Sequence, residues 1–434
     1  MKNYLPLILF IAILVLIDLY AFKSLRLITS GWSKALWRNS AQIAYWISST
    51  TAYVLLIYAV TTYREAQAKM DYYLFFMGFG VLMLIFMPKL IAAVFHLTDD
   101  VLHIFRRVTA FFVRSFEPKE TVASSTAGIT RWQFLSRMGW VIAAIPFVGI
   151  LYGIGRGRYQ FRTTSVSLSF NHLPKSFNGL KIVHISDMHI GSFFNNYSAV
   201  QRGIDQVNAL NPDLILFTGD MVNNYADEVK GWEDVIGSLK AKYGKFSIFG
   251  NHDYGDYVQW ESEEAKRANL DKLRVYHEKM GFNLLTNEWL ELKSDAGELI
   301  EIIGLENWGL GGFSKYGDLS KAMNGTDANR FQILMSHDPS HWDAEVMQKT
   351  NIDLTLAGHT HGMQFGVEIP GLIKWSPVKY RYPRWGGLYS EGKQHLYVNR
   401  GFGYIGFPGR VGMPPEITLI ELQSGNTIDE ANNA

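Results

Sequence analysis

Nearly every long apolar run of this 434-residue chain lies before residue 155, and that segregation constrains its fold more than any other feature. Residues 5–22, 43–60 and 72–94 are each long and apolar enough to cross a hydrocarbon core as a helix, and a shorter run covers 138–154. Arg137 precedes the fourth run and Arg156 and Arg158 follow it, as charges bracket a spanning helix. A buried core helix or an uncleaved signal-like segment is the alternative for that run. Removal of the first run as a secretory signal is not expected, because Asp18 interrupts it and no small-x-small cleavage pattern follows. Asp18 falls near the Lys23 end of its helix and is expected at the membrane interface, with a functional intramembrane carboxylate as its alternative.

Orientation follows from Lys and Arg in the short loops, which are enriched on the cytoplasmic side. The first loop holds Lys23, Arg26, Lys34 and Arg38, and the third Arg106, Arg107, Arg114, Lys119, Arg131 and Arg137, whereas the second has only Arg64 and Lys69. With four spans, the N-terminus and everything beyond residue 155 face the extracytoplasmic side, periplasm or cell wall. Without the fourth, the globular part turns to the cytoplasm. Residues 101–116 mix Arg106, Arg107 and Arg114 with Phe105, Phe111 and Phe112, a basic amphipathic pattern suited to an anionic leaflet or to an ordinary connector. Small polar residues at 121–130 read as a link. The expected organisation is a multi-pass membrane anchor at 1–155, a globular domain at 160–425 and a polar tail at 426–434.

A net charge of +1, from 41 basic and 40 acidic residues, gives no field for gathering nucleic acid. The absence of cysteine excludes disulfides, thiolate metal sites and cysteine nucleophiles together.

Beyond residue 160, short β-rich runs end abruptly in polar residues. The run at 181–186 leads to Asp187 and His189, that at 214–218 to Gly219 and Asp220, and that at 246–249 to Gly250, Asn251, His252 and Asp253. Residues 333–336 lead to His337, and 354–357 to Gly358, His359, Thr360 and His361. Apolar runs of this length suit strands buried on both faces, with helical patterns at 198–210 and 262–280 as crossovers. Ligand residues of open α/β sheets collect at strand carboxyl ends, so these blocks can converge. Further strands at 164–170, 299–304 and 416–422 are compatible with a second sheet.

Carboxylate, imidazole and amide oxygen suit Mn, Fe or Zn rather than a closed structural zinc site, and they outnumber what one ion can use. Two divalent ions could lower a bound water toward hydroxide and brace an in-line displacement at phosphorus. Each motif alone is weak; all five in this order, each after an apolar strand, are not a coincidence.

Those five blocks resemble the signature blocks of the calcineurin-like metallophosphoesterase superfamily, and most closely its bacterial membrane-associated YkuE/YaeI-like phosphoesterases. The segment 397–403, followed by Pro414, Pro415, Glu416 and Ile417, is similar to that subgroup's C-terminal block. The resemblance implies a four-layer αββα sandwich, here preceded by the roughly four transmembrane helices that the apolar runs predict. It further implies that one metal is held by Asp187, His189, Asp220 and His361, and a second by Asp220, Asn251, His337 and His359. Asp220 would bridge, His252 would be the catalytic non-ligand, and Asp253 would orient its ring or be an ordinary turn carboxylate. Two departures stand out. Met363 replaces the second Gly of a usual Gly-His-Thr-His-Gly-Gly-Gln, and the twin-arginine export pattern of some relatives keeps only Arg131.

The expected function is hydrolysis of phosphomonoesters or phosphodiesters, on a substrate that anchoring would favour as amphiphilic or lipid-linked. The alternatives are a lipid-linked pyrophosphate hydrolase of the UDP-diacylglucosamine pyrophosphatase type, or a non-catalytic membrane sensor with a metal-binding domain. The segment 402–408 is expected to pack in the core, with contact to lipid as its alternative.

Overall fold

The apolar runs fold as four helices, α1 (Leu5–Thr29), α2 (Ala35–Ala68), α3 (Tyr73–Arg114) and α4 (Arg131–Gly155). The structure, a computed structural model, describes residues 5–114, 131–369 and 371–425; the link at 121–130 and the tail at 426–434 lie outside the described residues. Each helix outruns its apolar stretch, because polar flanks extend the same backbone ladder. The 25 residues of α1, rising about 1.5 Å each, exceed a hydrocarbon core of about 30 Å. All four are long and apolar enough to cross a membrane. Leu16, Ile47, Val54, Val141 and Ile145 are more than half exposed, as lipid-facing side chains are. The basic aromatic stretch after residue 101 is the continuation of α3.

The chain divides into two compact units, one comprising Met1–Tyr63 with Met77–Tyr152, the other Arg64–Phe76 with Gly153–Ala434. Within the helical unit, small side chains allow close approach. Ala52 packs with Leu14, Leu82 and Phe86, and a Cβ on Gly139 of α4 would lie 3.0 Å from the Cβ of Phe95 on α3.

Asp18 is not the interfacial group expected from its nearness to Lys23. It is fully buried and pairs with Lys89 of α3 at 2.9 Å. Ser49 Oγ and Tyr45 OH of α2 each donate to its Oδ1 at 3.0 Å, and Tyr53 OH donates to Oδ2 at 2.5 Å. Lys23 instead reaches Asp100 at 3.0 Å. A carboxylate among apolar helices is tolerated only when paired and hydrogen-bonded. The α3 cation and three α2 hydroxyls meet that demand, which is why Asp18 turns inward.

The second unit is built on two six-stranded sheets. Its chain runs β1 (Arg162–Phe170), β2 (Leu180–Ile185), α5 (Tyr197–Ala209), β3 (Leu214–Phe217), α6 (Glu233–Gly237), β4 (Lys245–Ser247), α7 (Glu263–Lys279) and β5 (Phe282–Leu284). There follow β6 (Glu288–Lys293), β7 (Leu299–Gly304), α8 (Leu319–Ala322), β8 (Gln332–Met335), β9 (Leu354–Ala357), the ribbon β10 (Val367–Ile369) and β11 (Ile373–Trp375), then β12 (Gly387–Glu391), β13 (Gln394–Val398) and β14 (Glu416–Ser424). The sheet orders are β1-β14-β2-β3-β4-β5 and β12-β13-β9-β8-β7-β6. Asn196 and Ser262 cap α5 and α7 by accepting the backbone N–H of Ala199 and Ala265.

Alternation along the strands makes the layers. Ile182, Leu214 and Leu216 face Ile302, Ile333, Met335, Leu354 and Leu356 in a core between the sheets, while Val183, Ile215 and Phe217 face α5 and α7 through Ile204, Val207 and Leu273. On the outer face of the other sheet, Ile303, Leu334 and Val398 meet Leu319, Trp342 and Val346. The result is helix, sheet, sheet, helix.

The grouping of strands differs from the expectation. Residues 164–170 and 416–422 do not join 299–304 in a second sheet: β14 pairs parallel to β1 and antiparallel to β2, so both belong with β2, β3 and β4. The strands leading to His337 and His359, β8 and β9, form the centre of the other sheet. A C-terminal strand returning beside β2 is a long-range pairing that local periodicity does not encode.

Replacing one member of the intramembrane pair leaves an uncompensated buried charge, at a cost of about 3 kcal/mol or more. Lys89→Met should therefore lower the detergent-solubilised protein's unfolding midpoint markedly, and Asp18→Asn with Lys89→Met should recover most of the loss. Equal midpoints for Lys89→Met and the native chain would refute this account of the node.

Candidate metal centre

The loops after β2, β3, β4, β8 and β9 converge across both sheets. Asp187, His189, Asp220, His359 and His361 all take left-handed backbone conformations, with φ between 45° and 70°. Such φ costs a non-glycine residue of order 1 kcal/mol and persists only where the surroundings impose it, commonly at functional sites. Here it folds each strand end back, aiming side chains into the common space and backbone N–H groups at one another's carboxylates.

Two overlapping groups of donor atoms result, Asp187 with His189 and His361, and Asp187 with Asp220 and His337, all buried. His361 Nε2 lies 3.3 Å from Asp187 Oδ1 and 3.1 Å from His189 Nε2. Asp220 Oδ2 lies 3.2 Å from His337 Nε2 and 3.5 Å from His189 Nε2, so this single oxygen stands between both groups. Asn251 Oδ1 and His359 Nδ1 face each other at 2.7 Å. All seven expected ligands are thus brought to one place, with Asp187 more central than the shared role expected for Asp220 alone.

Close approach explains the glycines. A Cβ on Gly250 would sit 2.2 Å from Asp220 Oδ1, and one on Gly358 would sit 1.9 Å from Ser186 Oγ and 2.4 Å from Asp187 Oδ2. No side chain fits either place. Met363, where the resemblance leads one to expect Gly, adopts φ 52° and is 58% exposed, so it adds strain and an apolar side chain at the surface but displaces no ligand.

The donor set suits divalent cations. Burial pushes the Asp187 carboxyl up, but the His361 and His337 imidazoles beside it outweigh that and hold it below the usual range. Burial likewise opposes protonation of His337, yet the Asp220 carboxylate raises it to about 10. The two carboxylates therefore make a strongly negative recess. Burial keeps His359 neutral, down to about 4, and His189 well below its ordinary value. His337 Nδ1 donates to the Thr218 carbonyl at 2.7 Å, which turns Nε2 toward Asp220 Oδ2 at 3.2 Å, where a bound cation would take the place of its proton.

Asp253 does not orient His252. Its Oδ2 accepts the N–H groups of Asp220 and Gly250, each at 2.8 Å, and its Oδ1 accepts those of Met221 at 2.8 Å and Val222 at 3.3 Å. It ties two loops together, and burial followed by the nearby Asp220 charge pushes it up to about 7. His252 Nδ1 is met instead by the Asn223 carbonyl at 2.8 Å, and its backbone N–H donates to Asp220 Oδ1 at 2.8 Å. A backbone carbonyl carries no signature in a motif. Two further residues escaped sequence reasoning: Tyr382, whose hydroxyl lies 2.8 Å from His359 Nε2, and Arg410. The buried Arg410 guanidinium donates to the carbonyls of Arg400, Gly401 and Gly403 and lies 3.2 Å from His361 Nδ1. Of the segment 402–408, Phe402 and Tyr404 are fully buried in the core, whereas Ile405, Gly406 and Phe407 are half-buried.

A recess of Asp, His and Asn residues at the ends of two facing sheets defines a metallophosphoesterase, and the comparisons agree. Residues 3–158 match a family model described as a probable calcineurin-like phosphoesterase transmembrane domain, and residues 180–363 match the calcineurin-like phosphoesterase model. The metallophosphoesterase YkuE of Bacillus subtilis is 34% identical over 306 residues, covering 69% of this chain and 99% of that protein. A transmembrane protein with metallophosphoesterase domain from Danio rerio is 28% identical over 321 residues, 73% of this chain and 68% of its own. Among solved structures, the phosphopantetheinyl hydrolase of Mycobacterium tuberculosis matches at 13% identity with a TM-score of 0.32, covering 59% of this chain and 99% of that one, too distant to bear on chemistry. The chain belongs to the calcineurin-like metallophosphoesterases, consistent with their bacterial membrane-associated subgroup. Membership supports a metal-dependent phosphoesterase, and the four helices with their own family model support a multi-pass membrane protein.

Close approach at these glycines is testable without activity. Gly358→Ala should weaken Mn²⁺ binding by about tenfold or more, measured by titration calorimetry, since it displaces the turn holding Asp187. Gly312→Ala, where a Cβ meets nothing within 4 Å, should bind like the native chain. Native affinity in Gly358→Ala would contradict the close-approach reading.

Proposed function

We propose that this chain hydrolyses phosphate esters at a two-cation site, and the observation that carries the reading is the pair of overlapping buried Asp/His groups. Asp187, His189, Asp220 and His361 would hold one cation, and Asp220, Asn251, His337 and His359 the other. Asp220 Oδ2, within 3.5 Å of a histidine of each set, is suited to bridging. Bound divalent cations would supply a water acidified for attack and Lewis acidity toward the phosphoryl oxygens. The chain's own contribution is to fix the surroundings. The Asn223 carbonyl accepts from His252 Nδ1–H, which fixes the ring and leaves Nε2 as the nitrogen that, once the ring is doubly protonated, would give a proton to the departing oxygen. Asp253 acts as a positioning group that locks the Asp220 and Gly250 turns.

An amphiphilic substrate is supported by the ribbon that begins just after the His361 turn. The register Val367↔Trp375 and Ile369↔Ile373 puts Val367, Ile369, Ile373 and Trp375 on one face. Leu372 at the tip is 80% exposed, while the opposite face is tied down by Glu368 to Arg400 and Lys374 to the Gly386 carbonyl. With Mn²⁺, the full chain in detergent should cleave both a nitrophenyl phosphodiester and a lysophospholipid-type ester. Asp220→Ala and His252→Ala should each lower the rate by about 10² or more. Leu372→Asp should raise KM for the amphiphile alone. Undiminished turnover in both site variants would sink the phosphoesterase reading, and an unchanged amphiphile KM would sink the substrate class.

The proposed side is extracytoplasmic. Support comes from the charge imbalance of the loops and from the connector at Arg64–Phe76, which has only two basic side chains and belongs to the same compact unit as the phosphoesterase domain. The chain has no cysteine, so Lys279→Cys is a clean probe. It should react with an impermeant maleimide in intact spheroplasts, whereas labelling only after lysis would reverse the assignment.

A further inference from the structure

The connector between α2 and α3, taken with the helix ends beside it as Arg64–Phe76, reaches the loops that hold the site. Tyr72, 2% exposed, directs its hydroxyl to Glu228 Oε1 at 3.3 Å and accepts from Asn224 Nδ2 at 3.3 Å. The buried Glu228 carboxylate accepts the backbone N–H groups of Asn223 at 2.7 Å, Asn224 at 2.9 Å and Tyr225 at 3.0 Å. Asn223 is the residue whose carbonyl meets His252 Nδ1 at 2.8 Å. Three hydrogen bonds therefore run from the connector to the imidazole.

A second line runs alongside. Gln67 Nε2 donates to the Tyr257 carbonyl at 3.1 Å. The Tyr257 ring lies 4.6 Å from that of His252, and its hydroxyl accepts from Asn251 Nδ2 at 2.8 Å. The rings of Tyr73 and Phe76 also meet Phe194, in the loop that follows His189. Beside these contacts the connector and the loops border a cavity of about 370 Å³. Specific hydrogen bonds and ring contacts, rather than continuous packing, thus join them there, and such contacts fix direction as well as distance.

We infer that the α2–α3 connector is a positioning element of the site: Tyr72, through Glu228 and Asn223, and Gln67, through Tyr257, set the orientation of His252. The inference rests on the reading of His252 as the group that serves the leaving oxygen. It ties the acid–base group, and Asn251 through Tyr257, to a segment whose two ends continue as candidate spanning helices.

The test separates orientation from folding. Misplacing a proton donor matters most for a poor leaving group, whereas partial unfolding or loss of metal lowers all substrates alike. With Mn²⁺, Tyr72→Phe and Gln67→Ala in the full chain should each lower kcat for an alkyl phosphodiester by about tenfold and for a nitrophenyl diester by about twofold or less, with little change in KM. In the metal-free full chain, hydrogen exchange in Tyr72→Phe should quicken over 221–228 and stay native over β2 and β3. Equal losses on both substrates, or unchanged kcat with unchanged exchange, would overturn the inference. If the native chain hydrolyses neither substrate, the phosphoesterase reading fails separately, and the exchange measurement alone decides whether the connector holds the loop.

Discussion

Two buried carboxylates, Asp187 and Asp220, stand within reach of the same imidazole, His337 Nε2 lying 3.2 Å from one and 3.9 Å from the other. Like charges this close in a place shielded from water repel strongly unless positive charge lies between them. Much of the surrounding structure answers to that constraint. Left-handed turns point Asp187, Asp220, His189, His359 and His361 inward, and Asp187 also accepts the His359 N–H at 3.0 Å. Gly219, Gly250 and Gly358 surrender their side chains so that the loops can close. A recess that gathers two carboxylates and several imidazoles this close is suited to cations.

The helical unit meets the same problem with a different solution. Asp18 lies in an apolar bundle, and the protein supplies its partner internally as Lys89, with Ser49, Tyr45 and Tyr53 completing its hydrogen bonds. Internal pairing gives a node that joins three helices. At the candidate metal centre the chain instead sets two carboxylates and three imidazoles within ligand distance of one another, in two overlapping groups. The contrast marks Asp18 and Lys89 as architecture and the recess as chemistry.

Much of the site was legible because its signals are local. A strand that ends in a glycine and a ligand residue is written in consecutive letters, and continuous apolar runs foretold both buried faces of β3 and β8. The role of Asp253 was not legible, because a carboxylate next to a catalytic histidine in sequence can turn to either side. Here it turns to four backbone N–H groups of neighbouring loops. Asn223 was missed for a related reason: it acts through its carbonyl, which every residue possesses. Glu228 and Tyr72 are 156 positions apart, and nothing in either neighbourhood announces the other.

By itself the sequence determined the inventory: four apolar helices, a run of buried strands, and the seven side chains offered at strand ends, since hydropathy and residue chemistry are properties of short segments. Only the tertiary structure decided how these were combined. It split the five blocks between two sheets, returned β14 beside β2, turned Asp18 inward to Lys89, and gave His252 to a backbone carbonyl rather than to Asp253. The physical reason is common to all four. Each depends on a partner brought close by the packing of distant segments, and the cost of burying an unpaired charge or backbone group selects among partners that local sequence leaves equivalent.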